Sequence, residues 1–520
     1  MIRLSKTGLY TIYLAVFVCL LSGSILLNSC KQTTTTTVFQ PTGDTIADGQ
    51  KLVQKYCTSC HQPTPANMLT RDVWKFHTLP AMSHYLGLST YGKDYFKNKQ
   101  DGGGISLNEW SIIVAYYSKA APEKLETPKP PVPLVDDWAG FTLRKPEASK
   151  KVVFTTMVKV DPGTQKIYTA DYQSLKLYEW DKDLKMRSVA QLPSPAVDAS
   201  FTKDEKGEPQ ALITCIGQLE PIDFPNGRIL KVGLNAKTEI ADPALVESDL
   251  ARPVQTISGD FNKDGLTDWI VCGEGFKQGG IYLLKQNKDH SYTQSNISNK
   301  AGAVQAIAGD FNNDGWQDVM ILFGSNDEGL WLFLNDQKGG FTSKNLLHFP
   351  PVRGSSSFQL ADINHDGKPD LIYTAGYNYY DSRILKPYHG LYIFTNQGDW
   401  NFKQTWFYPI NGCTKAIVTD FDNDGDVDIA TIAFFADMKD NPRESFIYFE
   451  QDKPGSFKPH AVPVSQNGRW MSMDVADVNR DGKPDIVLGN YGQGFLFQPD
   501  FKPNWNRNLP FIILENHTKK

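Results

Sequence analysis

No glycine-rich phosphate loop, no Gly-x-Ser-x-Gly and no His-Glu-x-x-His occurs in the 520 residues. The short signatures of nucleotide binding, serine hydrolysis and zinc peptidase chemistry are therefore missing. No basic stretch reads as a nucleic-acid footprint, and the net charge is -5, so no polyanion is an expected partner. Histidine is thin, nine in all. His290, His348, His365, His389, His460 and His517 are scattered, most of them expected at the surface. Without a recognisable acid–base pair, no catalytic residue is assigned. Cysteine is sparse too, at seven residues. Cys215, Cys272 and Cys413 lie in or beside strand-like stretches; three allow at most one disulfide, and buried thiols are the preferred reading. What is plentiful is glycine, 41 residues, and aromatic side chains at 12%, which suit strands and turns. A chain this long exceeds one core and should divide into domains.

One acidic pattern is written five times, at Asp260–Asp268, Asp310–Asp318, Asp362–Asp370, Asp420–Asp428 and Asp477–Asp485, with starts 50, 52, 58 and 57 residues apart. Each copy has Asp at positions 1, 5 and 9, Asn or Asp at position 3 and Gly at position 6. The oxygen donors are Asp260, Asn262, Asp264 and Asp268 in the first copy and Asp310, Asn312, Asp314 and Asp318 in the second. They are Asp362, Asn364, Asp366 and Asp370 in the third. The fourth offers Asp420, Asp422, Asp424 and Asp428, and the fifth Asp477, Asn479, Asp481 and Asp485. Oxygens at positions 1, 3 and 5 converge when the chain turns sharply at the glycine. A carbonyl at position 7 and the carboxylate at position 9 would complete an oxygen cage for Ca2+, which takes about 6–8 such ligands. Seventeen acidic residues fall inside the loops, and carboxylates this crowded repel unless a cation sits among them. The metal-free reading is a set of ordinary Asp/Asn/Gly turns. The first half resembles an EF-hand loop, but no Glu stands at position 12 and no helices flank it. Each copy instead runs into a strand, such as Val319–Leu322 or Ile486–Leu488, so a strand–loop–strand hairpin is expected.

These five copies resemble the FG-GAP/VCBS repeats, the calcium-bearing blades also seen in integrin alpha-chain heads. A period of about 50 residues with several strands each reads as a β-propeller, and the resemblance implies up to five Ca2+ ions. Two weaker units precede the five, Val152–Asp161 with Lys166–Asp171 and Val197–Phe201 with Gln210–Cys215. That makes seven blades over residues 140–516. Closure is expected by strand exchange, Phe141–Leu143 joining Phe511–Leu514, which removes free sheet edges.

The N-terminus reads as a targeting segment. Arg3 and Lys6 precede the mostly apolar stretch Leu9–Leu27, and Leu27-Asn28-Ser29-Cys30 resembles the bacterial lipobox. The expectation is a signal peptide over 1–29, lipidation of Cys30 and a polar tether over 30–43; a single transmembrane anchor is the alternative. Lys31 lacks the Asp-type inner-membrane retention signal, which tilts the exported, lipid-anchored chain toward the outer membrane, on its periplasmic or surface side.

Cys57-Thr58-Ser59-Cys60-His61 is the c-type haem attachment motif. Two thiols take the vinyl groups and His61 faces the iron, giving one covalent haem. Leu52, Val53 and Tyr56 have a helical spacing that sets the cysteines at a helix end. A thioredoxin-like pair lacks its strand–helix–strand surroundings, and a zinc site lacks a second Cys pair. The stretch Leu79-Pro80-Ala81-Met82 resembles that of small bacterial monohaem cytochromes c, which implies Met82 as sixth ligand. The alternatives are a core Met82, with His77 or His84 on the iron. Ser106 and Glu109 form a capping box opening a helix with Trp110, Ile113 and Tyr117 on one face, similar to the last helix of such cytochromes. The fold class is thus a small all-α cytochrome c domain (44–121), a Pro-rich linker (122–139) and an all-β seven-bladed propeller with calcium loops. The tryptophans show no spacing like that of the quinoprotein propeller dehydrogenases.

Three functions fit. One is a membrane-anchored one-electron carrier whose propeller docks an unidentified redox partner. The second is a substrate-binding subunit of an oxidoreductase that passes electrons to the haem. The third is an adhesion or glycan-binding module, with a protein or glycan ligand on the propeller and the haem as a sensor.

Overall fold

The structure is a computed structural model that describes residues 39–88, 104–220, 222–235, 240–378, 384–493 and 501–518. The expected signal segment, Cys30 and most of the tether lie outside the described residues. The chain divides into Met1–Asp44 and Thr45–Lys520. The second unit holds a short helical region and a seven-bladed β-propeller.

Seven sheets form the blades. Blade 1 is β3–β6 (Thr155–Val160, Ile167–Asp171, Lys176–Trp180, Met186–Gln191) and blade 2 is β7–β10 (Ala196–Lys203, Pro209–Cys215, Gly227–Gly233, Ala244–Leu250). Blade 3 is β11–β14 (Pro253–Gly259, Asp268–Gly273, Gly280–Gln286, Tyr292–Ser298). Blade 4 is β15–β18 (Ala303–Gly309, Asp318–Phe323, Gly329–Asn335, Phe341–His348) and blade 5 is β19–β22 (Ser355–Ala361, Asp370–Ala375, Gly390–Asn396, Phe402–Pro409). Blade 6 is β23–β26 (Lys415–Thr419, Asp428–Ile432, Phe446–Lys453, Ser456–Ala461), and blade 7 starts with β27–β29 (Trp470–Ala476, Asp485–Asn490, Phe511–Asn516). The outer strand of blade 7 is β2 (Phe141–Arg144), which pairs antiparallel with Phe511–Asn516 and closes the ring.

Second strands read as continuous apolar runs because each is covered on both faces by neighbouring sheets. In Asp318–Phe323 every residue is buried. Side chains alternate across a strand, so Val319, Ile321 and Phe323 pack toward blade 3, while Met320 and Leu322 pack toward blade 5. Burial of each such side chain contributes roughly 1.5–3 kcal/mol.

The inner strands are joined in a ring by side-chain bridges. Thr156 Oγ1 donates to Ala196 O at 2.6 Å. Asp198 accepts from Thr256 N at 3.2 Å, Gln255 from Ala306 N at 2.6 Å, Gln305 from Phe358 N at 3.0 Å and Gln359 from Val418 N. Lys415 Nζ donates to Met473 O at 2.9 Å, and Asp474 accepts from Val160 N at 2.7 Å. A β-bulge near the start of several inner strands precedes the bridging residue, as at Pro253/Gln255, Ala303/Gln305 and Ala196/Asp198. Bulges re-aim side chains, here toward the next blade.

The helical region starts with α1 (Thr45–Tyr56). A helical run follows that the sequence reading did not anticipate: α2 (Arg71–Val73), π-helical Trp74–Thr78 and α3 (Leu79–Tyr85). The last helix, α4 (Leu107–Ala120), has the expected Ser106–Glu109 capping box, and buries Trp110, Ile113 and Tyr117. Helices α1 and α4 cross closely at Gly49, where a Cβ would come within 2.1 Å of the Tyr116 Cβ. Trp74 stacks on Tyr117 with centroids 3.9 Å apart. The Pro-rich segment does not only span. Its strand β1 (Val135–Asp136) adds in parallel to the edge of blade 6, and Arg443 holds Leu134 O at 2.7 Å and Asp136 at 2.9 Å.

Candidate functional site

The five acidic loops join first to second strands, so all lie at one end of the blades. Each copy makes the same local hydrogen bonds. Position 1 accepts from the N–H of positions 5 and 6; in the first loop these are Asp264 N to Asp260 Oδ1 at 3.1 Å and Gly265 N to Asp260 Oδ2 at 3.0 Å. The equivalents in the other loops run from 2.8 to 3.1 Å. Position 3 accepts from the same position-5 N–H, at 2.9–3.1 Å. The oxygens of positions 1 and 3 thereby gather around one point.

Position 9 is of another kind. Asp268, Asp318, Asp370, Asp428 and Asp485 are at most 1% exposed. One oxygen accepts from the position-2 N–H, as Asp428 does from Phe421 N at 3.1 Å. The other accepts from the third strand, from Gln286, Asn335, Asn396, Gln451 and Asn516 N at 2.8–2.9 Å. This carboxylate therefore ties loop to blade whether or not it also faces a cation. Burial, followed by smaller effects that include neighbouring loop carboxylates, pushes Asp428 up to about 7 and Asp485 up to about 6. In the fourth loop, carboxylate oxygens of Asp420, Asp422 and Asp428 lie within 4.8 Å of one another.

Two backbone positions make the turn. Gly265, Gly315, Gly367, Gly425 and Gly482 have φ between 81° and 98°; a Cβ on Gly367 or Gly425 would meet nothing within 4 Å, so conformation and not space calls for glycine. Position 4 is left-handed as well, in Lys263, Asn313, His365, Asn423 and Arg480, at φ 58° to 66°. Asn313, His365 and Asn423 are residue types that favour the left-handed region, but Lys263 and Arg480 are not, so the five copies share no left-handed signal at this position. In blades 1 and 2 the same place holds plain Asp-capped turns at Asp161 and Asp204.

A second cluster sits at the end of α1. Cys57 and Cys60 are free thiols, and burial, with Cys60 beside it, pushes Cys57 up to about 11. His61 Nδ1 lies 2.8 Å from Gln62 O, which fixes the ring and leaves Nε2 available. Met82, on α3, is partly buried, whereas His77 and His84 are exposed.

The remaining thiols Cys215, Cys272 and Cys413 are buried and unpaired. His290, His365 and His517 are exposed, as expected. His460 and His389 depart from that expectation, at 2% and 1% exposure. His460 is held between Asp137 at 2.6 Å and Glu450 at 3.1 Å. His389 is buried by the inter-strand loop of blade 5, a placement no local pattern signals.

Among the described residues no helix is long and apolar enough to cross a membrane. A family described as an FG-GAP-like repeat matches residues 260–321, 310–373 and 434–488. Comparison with curated protein sequences finds no match. Similar solved structures include virginiamycin B lyase from Staphylococcus aureus, 11% identical over 72% of this chain and 99% of that one, with a TM-score of 0.44. A luciferin-regenerating enzyme is also similar, at 11% identity over 73% of this chain and 99% of that one, TM-score 0.32. The Dos1 propeller matches at 9% identity over 69% and 76%, TM-score 0.40. The chain carries FG-GAP-like repeats built into a seven-bladed β-propeller.

Proposed function

We propose that this protein is a lipid-anchored c-type cytochrome performing one-electron transfer, with a calcium-stabilised propeller that docks its partner. The observation that carries the reading is the end of α1, where two free thiols and an imidazole oriented through Nδ1 stand within five residues. The donor set fits haem c: thiols for thioether links and a neutral ring nitrogen for the metal, oriented by a carbonyl as ligating histidines commonly are. Haem c supplies the one-electron couple. Met82 is the preferred second axial donor, and a thioether with a His partner raises the potential. Helix α4 braces α1 through Lys55 and Tyr56, both bonded to Glu109 at 3.1 and 3.0 Å.

For calcium, the fourth loop brings three carboxylates together, Asp420, Asp422 and the buried Asp428, and the other four repeat its backbone turn with Asn at position 3. A divalent ion beside Asp428 and Asp485 would favour the charged form that burial, and to a smaller degree the neighbouring carboxylates, disfavours. Docking falls to the propeller because FG-GAP-like blades present a broad surface with variable loops. Lipidation at Cys30 would tether the chain to the outer membrane.

The deciding measurement is the visible spectrum of the purified protein, oxidised and reduced, with a redox titration. Low-spin bands that survive acidified-acetone extraction and a positive potential are expected. Met82→Ala should open the iron and lower the potential. A high-spin spectrum in the unsubstituted protein would remove Met82 from the iron, and Cys57→Ala/Cys60→Ala protein that still retained its haem through extraction would sink covalent attachment.

A further inference from the structure

A cavity of about 260 Å3 lies where the Pro-rich segment crosses blades 5 and 6. Pro128, Pro130 and Leu134 form its outer wall, Pro409 and Ile410 an inner apolar wall, and Lys386 and His389 its polar side. His389 is 1% exposed, and neither ring nitrogen has a hydrogen-bond partner. Lys386 is 7% exposed, and its ammonium reaches Val352 O at 3.5 Å, the limit of a hydrogen bond. Buried polar groups left without partners cost about 1–3 kcal/mol each. A buried imidazole with both nitrogens unpartnered calls for a partner, and the cavity beside it can admit one.

The rest of the wall selects the ligand's charge. Glu444 lines the cavity, its oxygens engaged by Asn411 N at 3.3 Å and by the Asn441 amide. Glu328, fully buried with one oxygen unpartnered, already acts electrostatically on Lys386. Arg443, the other cation lining the cavity, is already engaged by Asp136 at 2.9 Å and Leu134 O at 2.7 Å. A ligand's one negative charge is therefore matched by Lys386, while a second would face Glu444. The volume falls below the ~300–1,000 Å3 of drug-sized sites, and the prolines offer a rigid apolar seat. We propose that this cavity binds a small aliphatic monocarboxylate, its oxygens held by Lys386 and His389 and its chain seated against Pro128 and Pro130. The site is independent of the haem reading, since none of these residues belongs to α1–α4.

The test is titration of the full chain with sodium butyrate, 1-butanol and inorganic phosphate, followed by calorimetry and by the imidazole NMR signals. Butyrate should bind and move the His389 resonance, with at least a tenfold loss in Lys386→Met, while butanol and phosphate bind at least tenfold more weakly. Should Lys386→Met fail to fold, Pro130→Trp, which fills the mouth from the exposed linker, carries the same expected loss. Absence of butyrate binding, equal binding of phosphate or butanol, or full affinity in the variant that folds would each overturn the proposal.

Discussion

At one end of the blades, the connections between first and second strands are eight residues long in each of blades 3 to 7 and repeat one hydrogen-bond pattern. At the other end, the connections between second and third strands range from four residues in blade 1 to twenty in blade 7. The helical region and linker meet this second end. Tyr388 donates to Met68 O at 3.1 Å, Lys277 lies over the Tyr85 ring at 5.2 Å, and Arg443 holds the linker. The buried His389 and Lys386 precede a third strand at this same end. Repetition at the first end stabilises the ring; freedom of length at the second lets each blade carry something different. Loops on a rigid scaffold are where special chemistry is expected.

The largest effect expected from testing this contrast is metal removal. Chelation should lower the unfolding temperature, each site contributing about 2.7 kcal/mol at a hundredfold excess of ion over its Kd. Hydrogen exchange should quicken at the loop end of blades 3 to 7 and stay unchanged in α1 and α4, and any haem spectrum should not move. An unfolding temperature indifferent to chelation would remove calcium from the loops.

Within one loop, Asp428→Ala should cost roughly 4 kcal/mol in metal-free urea unfolding, because Phe421 N, Gln451 N and the Tyr448 hydroxyl lose their acceptor. Asp424→Ala, at the exposed side of that loop, should cost under about 1 kcal/mol. Equal costs would mean that position 9 does not tie the loop to the blade.

The pH dependence is smaller and has a definite sign. Asp428 and Asp485 sit above the ordinary carboxylate value of about 3.9, at about 7 and about 6. A carboxyl raised in the fold favours folding while protonated. Its contribution is full below about pH 4 and is lost as pH rises through 6 to 7. Metal-free protein should therefore lose thermal stability from pH 5 to 8, and calcium should flatten that slope; a slope of the same size with calcium bound would place the ion elsewhere.

The smallest change probes the opposite end. Tyr388→Phe removes one partly buried hydrogen bond to Met68 O and should cost about 1 kcal/mol, read as faster exchange in the helical region with blades 3 to 7 unaffected. Faster exchange in the acidic loops instead would show the two ends to be coupled.

Much of this architecture is local and therefore readable. The nine-residue loops, the apolar runs after them and the Ser106–Glu109 box each depend on neighbours within a few positions. The pairing of Phe141–Arg144 with the C-terminal strand is long-range, yet it follows from the need to leave no open edge. The left-handed position 4 was only partly readable: Asn313, His365 and Asn423 favour it, but loop geometry imposes it on Lys263 and Arg480, which do not. The parallel strand at Val135–Asp136 was hidden by its prolines and by its length of two residues. The helical run Arg71–Tyr85 was obscured by its π-turn, which shifts the apolar spacing away from 3.6.

By itself the sequence determined the blade number, the period, the places where carboxylates crowd and the thiol–imidazole motif, because each is a short-range pattern of residue types. Only the tertiary structure decided which polar groups would be taken out of water. Lys386 and His389 look like surface residues in sequence. They are buried because a long loop of blade 5 folds beneath a segment more than 250 residues earlier in the chain. The seven bridges around the inner strands arise in the same way: a Gln or Asp finds its partner N–H, and Thr156 and Lys415 their partner carbonyls, only when the next blade arrives, and nothing local records that meeting.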